Sequence, residues 1–271
     1  MESTSKFGLI AGNGRFPFLI LDAARSRGIE MVVVAIREET FPEIEQATEI
    51  VHWLSLGQLG KLIKTFKAEG VTQAIMAGQV KHKQIFSGII PDLTMLKLLG
   101  SLATKSTDSL IGAIAKLLEG EGIELVDSTA LLGPLLPEPG VLTARSPSED
   151  EQRDLDYGYR LARELGRLDL GQSVVVSDGA CVAIEAMEGT DAIVTRAATL
   201  VNGRPLTLVK LAKPNQDLRF DVPVVGPATL ENMIRGKVSA LAIEARKTLM
   251  IDKDDLIKLA DKNGITVVAV E

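Results

Sequence analysis

Apolar and polar positions follow two alternating periods along this chain. Phe7–Ala11 is a short apolar run that ends in Gly12-Asn13-Gly14, and a helix-like segment follows from about Pro17 to Ser26, closed by Gly28. Met31–Ile36 is continuously apolar, the pattern of a strand buried on both faces. Leu59, Leu62, Ile63 and Phe66 fall at i, i+3, i+4 and i+7, which is one face of a helix, and Gly70 ends it. Gln73–Ala77 reads as the next strand. Leu110, Ala113, Ile114 and Leu117 repeat the helical spacing behind the cap candidates Ser106 and Asp108, and Ile123–Val126 is a further strand. Strands alternating with helices predict an α/β fold whose N-terminal domain is Rossmann-like, with a parallel sheet.

Gly133–Gly140 holds three of the 11 prolines, so neither helix nor strand is expected there. Residues 133–146 then read as a Pro-rich, semi-rigid linker. It would join a nucleotide-binding domain, 1–132, to a second α/β domain with a mixed sheet, 147–271, facing it across a cleft. That half opens with an acidic helix from about Ser148 to Leu165 that aligns Leu155, Tyr159 and Ala162. Strands Ser173–Val176 and Cys181–Ala186 flank Asp178-Gly179, a hairpin signal. A helix near Asp191–Leu200, a strand at Leu206–Leu211 and a polar loop, Lys213–Arg219, come next. Further helices are expected near Ala228–Ile234 and Asp254–Lys262, with strands at Val238–Ile243, Leu249–Ile251 and Thr266–Val270.

A length of 271 residues agrees with two domains, at roughly 150 residues each. The formal net charge is -6 and aromatics make up 4%, so there is no basic field and no nucleic-acid partner is expected. The single Cys181 excludes a disulfide scaffold. No apolar run reaches the ~20 residues that span a bilayer. The first residues look like a strand rather than a signal peptide, so a cytoplasmic location is expected. The mean hydropathy of +0.19 fits buried strands.

Candidate chemistry lies at four places. Gly8, Gly12 and Gly14, with Asn13, stand between the first strand and a helix, where a Rossmann-like fold receives phosphate; a tight β–α turn needs the same glycines. Gly78 and Gln79 end the later strand Gln73–Ala77, either as ligand contacts with Lys81 or as an ordinary polar turn. His52 and His82 show no metal-ligand spacing. The richest stretch runs from Glu185 through Glu188, Thr190 and Asp191 to Arg196, with Glu185 and Cys181 expected on one side of a strand. Thr190 and Asp191 also suit helix capping. Farther on, Lys210 points inward among apolar neighbours, which is costly unless it meets an anion or a carboxylate. Asp217, Arg219 and Asp221 share a face if extended. They suit either an ion-pair network or a site for a phosphoanion and a hard metal such as magnesium, which takes a few carboxylates plus phosphate oxygens.

Four stretches carry a resemblance: Gly8-Leu-Ile-Ala-Gly12-Asn-Gly14, Asp169-Leu-Gly171-Gln172, Ala183-Ile-Glu185-Ala-Met-Glu188-Gly189-Thr190-Asp191, and Gln216-Asp217-Leu-Arg219-Phe-Asp221-Val-Pro223. With them, nearly the whole chain resembles the UDP-2,3-diacylglucosamine pyrophosphatases of lipid A synthesis. The resemblance implies a two-domain fold with substrate held between the domains. It implies magnesium-dependent hydrolysis to 2,3-diacylglucosamine 1-phosphate and UMP, with water attacking the phosphorus on the sugar side. It also implies that the aspartate of the Arg-Phe-Asp-x-Pro motif, Asp221 here, is essential.

Combined with the residues, this gives an expected division of labour. Gly12, Asn13, Gly14, Gly78 and Gln79 hold the nucleotide end. Gln172, Thr190, Asp191, Lys213, Gln216 and Asp217 complete the substrate contacts. Lys210 and Arg219, with Lys213, neutralise the diphosphate. Asp221 orients water and holds magnesium, with Glu185, Glu188 or Asp191 as its partner. Ile85–Leu99 with Leu131, Leu132, Leu135 and Leu136 either receives the acyl chains or is core plus an amphipathic helix. A lipid-linked nucleotide sugar as substrate implies transient contact with the inner-membrane surface. A homodimer is the default for a soluble enzyme. A nicotinamide-dependent oxidoreductase, with Glu38 or Glu39 on the ribose, and a non-catalytic nucleotide-sugar sensor are the alternatives.

Overall fold

The computed structural model describes residues 6–80, 90–102, 107–214 and 216–271. Both parts of the chain are α/β. It divides into one compact unit of Met1–Leu132 with Leu218–Phe220, and a second of Gly133–Asp217 with Asp221–Glu271.

In the first unit, β1 (Phe7–Ala11), β2 (Met31–Ile36), β3 (Ile50–Leu54), β4 (Gln73–Ala77) and β5 (Glu124–Leu125) form a parallel sheet in the order β3-β2-β1-β4-β5. Every residue of β2 is buried, as its unbroken apolar run predicts. Side chains alternate across this sheet. One face, with Ile10, Val32 and Val34, packs on α3 (Leu59–Ala68), α4 (Leu93–Ser101) and α5 (Thr107–Gly120) through Leu62, Ile63, Phe66, Met95, Leu110 and Leu118. Helix α1 (Phe16–Ser26) contacts β4 and also touches the short α2 (Ile44–Ala47), burying Ile20, Leu21 and Ala24. His52 is structural, 3.0 Å from Glu69 Oε1. Residues 81–89, with Lys81 and His82, and the cap candidate Ser106 fall outside the described residues.

In the second unit, β6 (Gly140–Val141), β7 (Ser173–Ser177), β8 (Ala180–Ile184), β9 (Leu206–Lys210), β11 (Val238–Glu244) and β13 (Thr266–Val270) make a mixed sheet in the order β6-β13-β11-β9-β7-β8. A small parallel pair joins β10 (Val224–Val225) to β12 (Leu249–Met250). Helix α6 (Glu149–Arg167) covers one face through Leu155, Ala162 and Leu165. The other face packs on α7 (Thr190–Leu200), α8 (Pro227–Arg235) and α9 (Lys253–Lys262). Asp178 and Gly179 make the expected hairpin turn, both at positive φ, and the buried Asp154 of α6 accepts both turn N–H groups.

Four local expectations change. The Pro-rich segment is not free of regular structure: Gly133–Leu135 is a 3-10 turn, and Gly140–Val141 pairs antiparallel with β13. Pro134 fits the first turn of the 3-10 segment, and Gly140–Val141 itself contains no proline. Cys181 and Glu185 do not share a face: Cys181 is exposed, whereas Glu185 is buried. The register slips between them, since Val175 faces Ala183 but Val176 faces Cys181, so one extra residue resets the alternation. Asp217–Asp221 is a turn, not an extended stretch, closed by Asp221 N–H donating to Asp217 O at 2.9 Å. Leu131 and Leu132 are buried rather than available to a lipid.

Candidate functional site

The first unit brings its glycine-rich turns together where the strand order reverses. Strands β2 and β4 flank β1, so chain direction switches beyond the carboxyl ends of β1 and β4. Open α/β sheets bind ligands at that point. Asn13 N–H donates to Gln79 O at 2.8 Å, and Gln79 N–H donates to Asn13 O at 3.1 Å. The two turns lie so close that a β-carbon on Gly12 would stand 2.7 Å from Gln79 O, and one on Gly78 would stand 2.5 Å from Asn13 O. These glycines are therefore needed for turn packing, whatever ligand they meet. Gly14, at φ 93°, has open space beside it. The Asn13 side chain donates to Glu39 O, which fixes the loop after β2 beside the same turn. A groove bordered by Arg25, Met31 and Thr48 lies at the amino ends of β2 and β3, the end where such sheets do not bind ligands.

Also in the first unit, Ser128 N–H donates to Leu218 O at 2.9 Å. The Ser128 hydroxyl lies 2.6 Å from Met76 O and 2.7 Å from Arg219 O, sharing one proton between them. Arg219 is thus held through its backbone at the end of β4.

The second unit centres on Lys210, the last residue of β9, 8% exposed. Its ammonium donates to Val224 O at 3.1 Å. Burial pulls its pKa below the ordinary lysine value, and Glu185, Asp191 and Asp221 pull it back upward. Glu185, 6% exposed, follows β8. A carboxylate only accepts, so the Thr190 hydroxyl donates to Glu185 Oε1 at 3.1 Å. Ser173 Oγ, 3.0 Å from Thr190 Oγ1, must then be the donor to Thr190. Thr190 therefore orients Glu185 and does not cap α7; Gly189 holds the cap position.

Asp191 is fixed by Asn232, whose side-chain N–H groups donate to its backbone O at 2.9 Å and to Oδ1 at 3.3 Å. Glu188 is committed elsewhere. It pairs with Arg196 at 3.0 Å and accepts from Ala186 N–H, and these backbone bonds and the guanidinium hold its carboxyl below the usual range. Lys213 pairs with Asp169 at 2.7 Å, and its N–H donates to Gln216 Oε1 at 2.8 Å. Three enclosed atoms here have no hydrogen-bond partner among the described residues: Glu185 Oε2, Gln172 Oε1 and Gln216 Nε2. Also among the described residues, no three His, Cys, Asp or Glu side chains converge as a metal cage.

The family model described as the LpxI N-terminal domain matches residues 6–135, and the LpxI C-terminal domain model matches 138–268. The chain belongs to the LpxI family. A relative from Caulobacter vibrioides, named UDP-2,3-diacylglucosamine pyrophosphatase LpxI, is 34% identical over 276 aligned positions, 98% of each chain. Among solved structures, the biotin carboxylase domain of Hydrogenobacter thermophilus 2-oxoglutarate carboxylase is 13% identical with a TM-score of 0.27 over 66% of this chain. Rhizobium etli pyruvate carboxylase is 12% identical with a TM-score of 0.29 over 75%. This chain spans 36% and 18% of those two, and neither likeness carries an argument.

Two residues of this LpxI-family site escape sequence reasoning. Ser173 sits opposite Lys210 in the β7–β9 register, a pairing visible only once the strands are aligned. Asn232 lies 41 positions beyond Asp191, on α8. Its one signal in the sequence is a polar residue on the buried face of a helix.

Proposed function

We propose that this protein hydrolyses the pyrophosphate of UDP-2,3-diacylglucosamine, releasing 2,3-diacylglucosamine 1-phosphate and UMP. The observation that carries the reading is the buried Lys210, set at a strand end under the pull of Glu185, Asp191 and Asp221. An ammonium has three donors, and among the described residues one is used, on Val224 O. A cation held against its burial cost is matched to an anion that arrives, such as a diphosphate. The full-length likeness to the Caulobacter relative supplies the substrate class.

Magnesium fits this donor set. It keeps several waters and needs one or two carboxylates beside substrate phosphates, so a three-ligand cage is not required. Asp221 would hold it with one further carboxylate, Asp191 or Glu185, whose Oε2 has no hydrogen-bond partner among the described residues; Glu188, tied to Arg196, is the weakest candidate. When bound, the ion would neutralise charge on the phosphate oxygens. Lys210 and Lys213 supply further positive charge to the diphosphate. Preorganised charge of this kind contributes most of the rate acceleration in such chemistry.

The substrate is a lipid, and no helix among the described residues is long and apolar enough to cross a membrane. Contact with a membrane surface is therefore part of the proposal. Ile90 and Leu93, 88% and 77% exposed, with Leu96 on α4, offer an apolar surface for it, while Met95 of the same helix is core.

The test is incubation with UDP-2,3-diacylglucosamine and magnesium, with and without chelator, reading UMP. Chelator-sensitive release is expected, and Asp221→Ala should abolish it while the protein stays folded. Near-normal release by Asp221→Ala overturns the assignment. Tight binding without release favours a sensor instead.

A further inference from the structure

Asn232 is a polar residue on the face of α8 that packs into the core. Leu230 and Met233 on the same helix are fully buried, and Asn232 itself is 7% exposed. A buried amide is costly unless its groups are bonded. Its Nδ2 donates to Asp191 O at 2.9 Å and to Asp191 Oδ1 at 3.3 Å. The backbone oxygen can only accept, so the contact settles which end of the Asn232 amide is which. That backbone oxygen has a second side-chain donor, the Thr195 hydroxyl at 3.0 Å. What Asn232 adds is a grip on the carboxylate. It engages Oδ1 and leaves Oδ2 outside the fork.

The carboxylate held in this way belongs to the first turn of α7, where Asp191 is exposed. It is also near enough to Lys210 to favour the charged ammonium. Glu185 acts on that ammonium more strongly, yet it is enclosed, at 6% exposure. Magnesium dehydrates reluctantly and keeps several waters, so it suits a carboxylate that faces solvent.

We propose that Asn232 is a positioning residue for the magnesium site: by holding Oδ1 it presents Oδ2 of Asp191 to the ion, so that Asp191 is the carboxylate that joins Asp221, and Glu185 is left as the counter-charge of Lys210. The assignment rests on the functional reading above. Groups behind a metal ligand contribute by fixing its orientation before the ion arrives, and losing one costs about 10- to 100-fold in metal affinity.

The experiment titrates manganese(II), a stand-in for magnesium, into the full chain at one fixed UMP concentration and counts the free ion by its paramagnetic resonance signal. Loss of folded protein lowers the number of sites but leaves the dissociation constant of the remaining sites unchanged, so a merely structural role does not move the readout. Asn232→Leu is expected to raise the dissociation constant about 10- to 100-fold. Should that variant fail to fold, Asn232→Ser makes the same test with a smaller side chain. Asp191→Ala, at an exposed position, should weaken binding at least as much, and adding Asn232→Leu to it should change nothing further. Glu185→Gln should lower turnover while manganese affinity stays near that of the wild type. Wild-type affinity in the Asn232 variant, or an equal loss when Asp191 is already alanine, overturns the positioning role. A loss in Glu185→Gln as large as that in Asp191→Ala overturns the choice of carboxylate, and absence of manganese binding by the wild type overturns the site. Absence of UMP release by the wild type from UDP-2,3-diacylglucosamine in magnesium overturns the hydrolase reading instead, since the manganese titration does not depend on turnover.

Discussion

Gly171 and Glu185 meet so closely that a β-carbon on Gly171 would overlap the Glu185 carbonyl oxygen. Glu185 cannot retreat freely, because its own N–H donates to Ser173 O at 2.9 Å. Any side chain at 171 must therefore pry the end of β8 from β7, moving the carboxylate that faces Lys210. Overpacking of this kind costs about 1–3 kcal/mol. Gly171→Ala is expected to lose stability on that scale in urea titrations and to lose UMP release more steeply than stability. Unchanged stability and turnover would show that the contact relaxes without consequence.

Thr190 offers a second, chemically cleaner change. Its hydroxyl receives from Ser173 and donates to Glu185 Oε1, so one group satisfies two buried partners. Thr190→Val keeps the shape and removes both bonds, at a cost of about 1–3 kcal/mol for each buried group left unpaired. Thr190→Ser restores the hydroxyl. Turnover and the urea midpoint should fall together in the valine variant and recover in the serine variant. If the serine variant behaves like valine, the methyl group rather than the hydroxyl matters.

Both contacts join residues whose proximity no local pattern announces, whereas the strands themselves are legible in the sequence. Met31–Ile36, Gln73–Ala77 and Thr266–Val270 are strands with the bounds that their apolar runs predict, because burial on both faces leaves one pattern. Lys210 is legible as an inward-pointing cation for the same reason. The pairing of Ser173 with Lys210 is not, since register depends on strands distant in the chain. The bulge after Cys181 is also invisible: one added residue reverses which side chains face in. Spacing alone makes Arg219 and its flanking aspartates extended, but the turn that puts Arg219 O beside Ser128 is set by a residue 91 positions away.

Lys210 should leave a mark on the pH dependence of stability. Burial lowers its pKa in the folded protein, while the unfolded chain keeps the ordinary value of 10.5. Between the two, the unfolded state binds the proton and the native state does not, so stability rises with pH across that window. Glu185, Asp191 and Asp221 narrow the window by favouring the charge. Thermal melts of the wild type at increasing alkaline pH should gain stability relative to Lys210→Met. A wild-type curve parallel to that of Lys210→Met would mean that no proton uptake is linked to unfolding at this site.

Glu151 should produce its own pH dependence in acid. Burial alone would raise its pKa, but Arg145, at 2.6 and 2.9 Å, outweighs it together with Ser148 N–H and Ser239, holding the carboxyl at about 2. Glu151 is also the reciprocal half of the capping box that starts α6, accepting from Ser148 N–H at 2.8 Å. Arg145 in turn donates to Ser239 O and Gly264 O, so the carboxylate organises the start of α6 and the strands beneath it. With a folded pKa below the unfolded 4.5, the stabilisation is complete above about 4.5 and is lost as pH falls toward about 2. Glu151→Gln keeps the size and removes the charge. Urea unfolding should find the variant less stable than wild type at pH 7, with the gap closing steadily below pH ~4.5 as the carboxylate of the unfolded chain takes up its proton while the native one stays ionised. A gap of constant size down to pH ~2 would assign the loss to the cap's geometry rather than to the ion pair with Arg145.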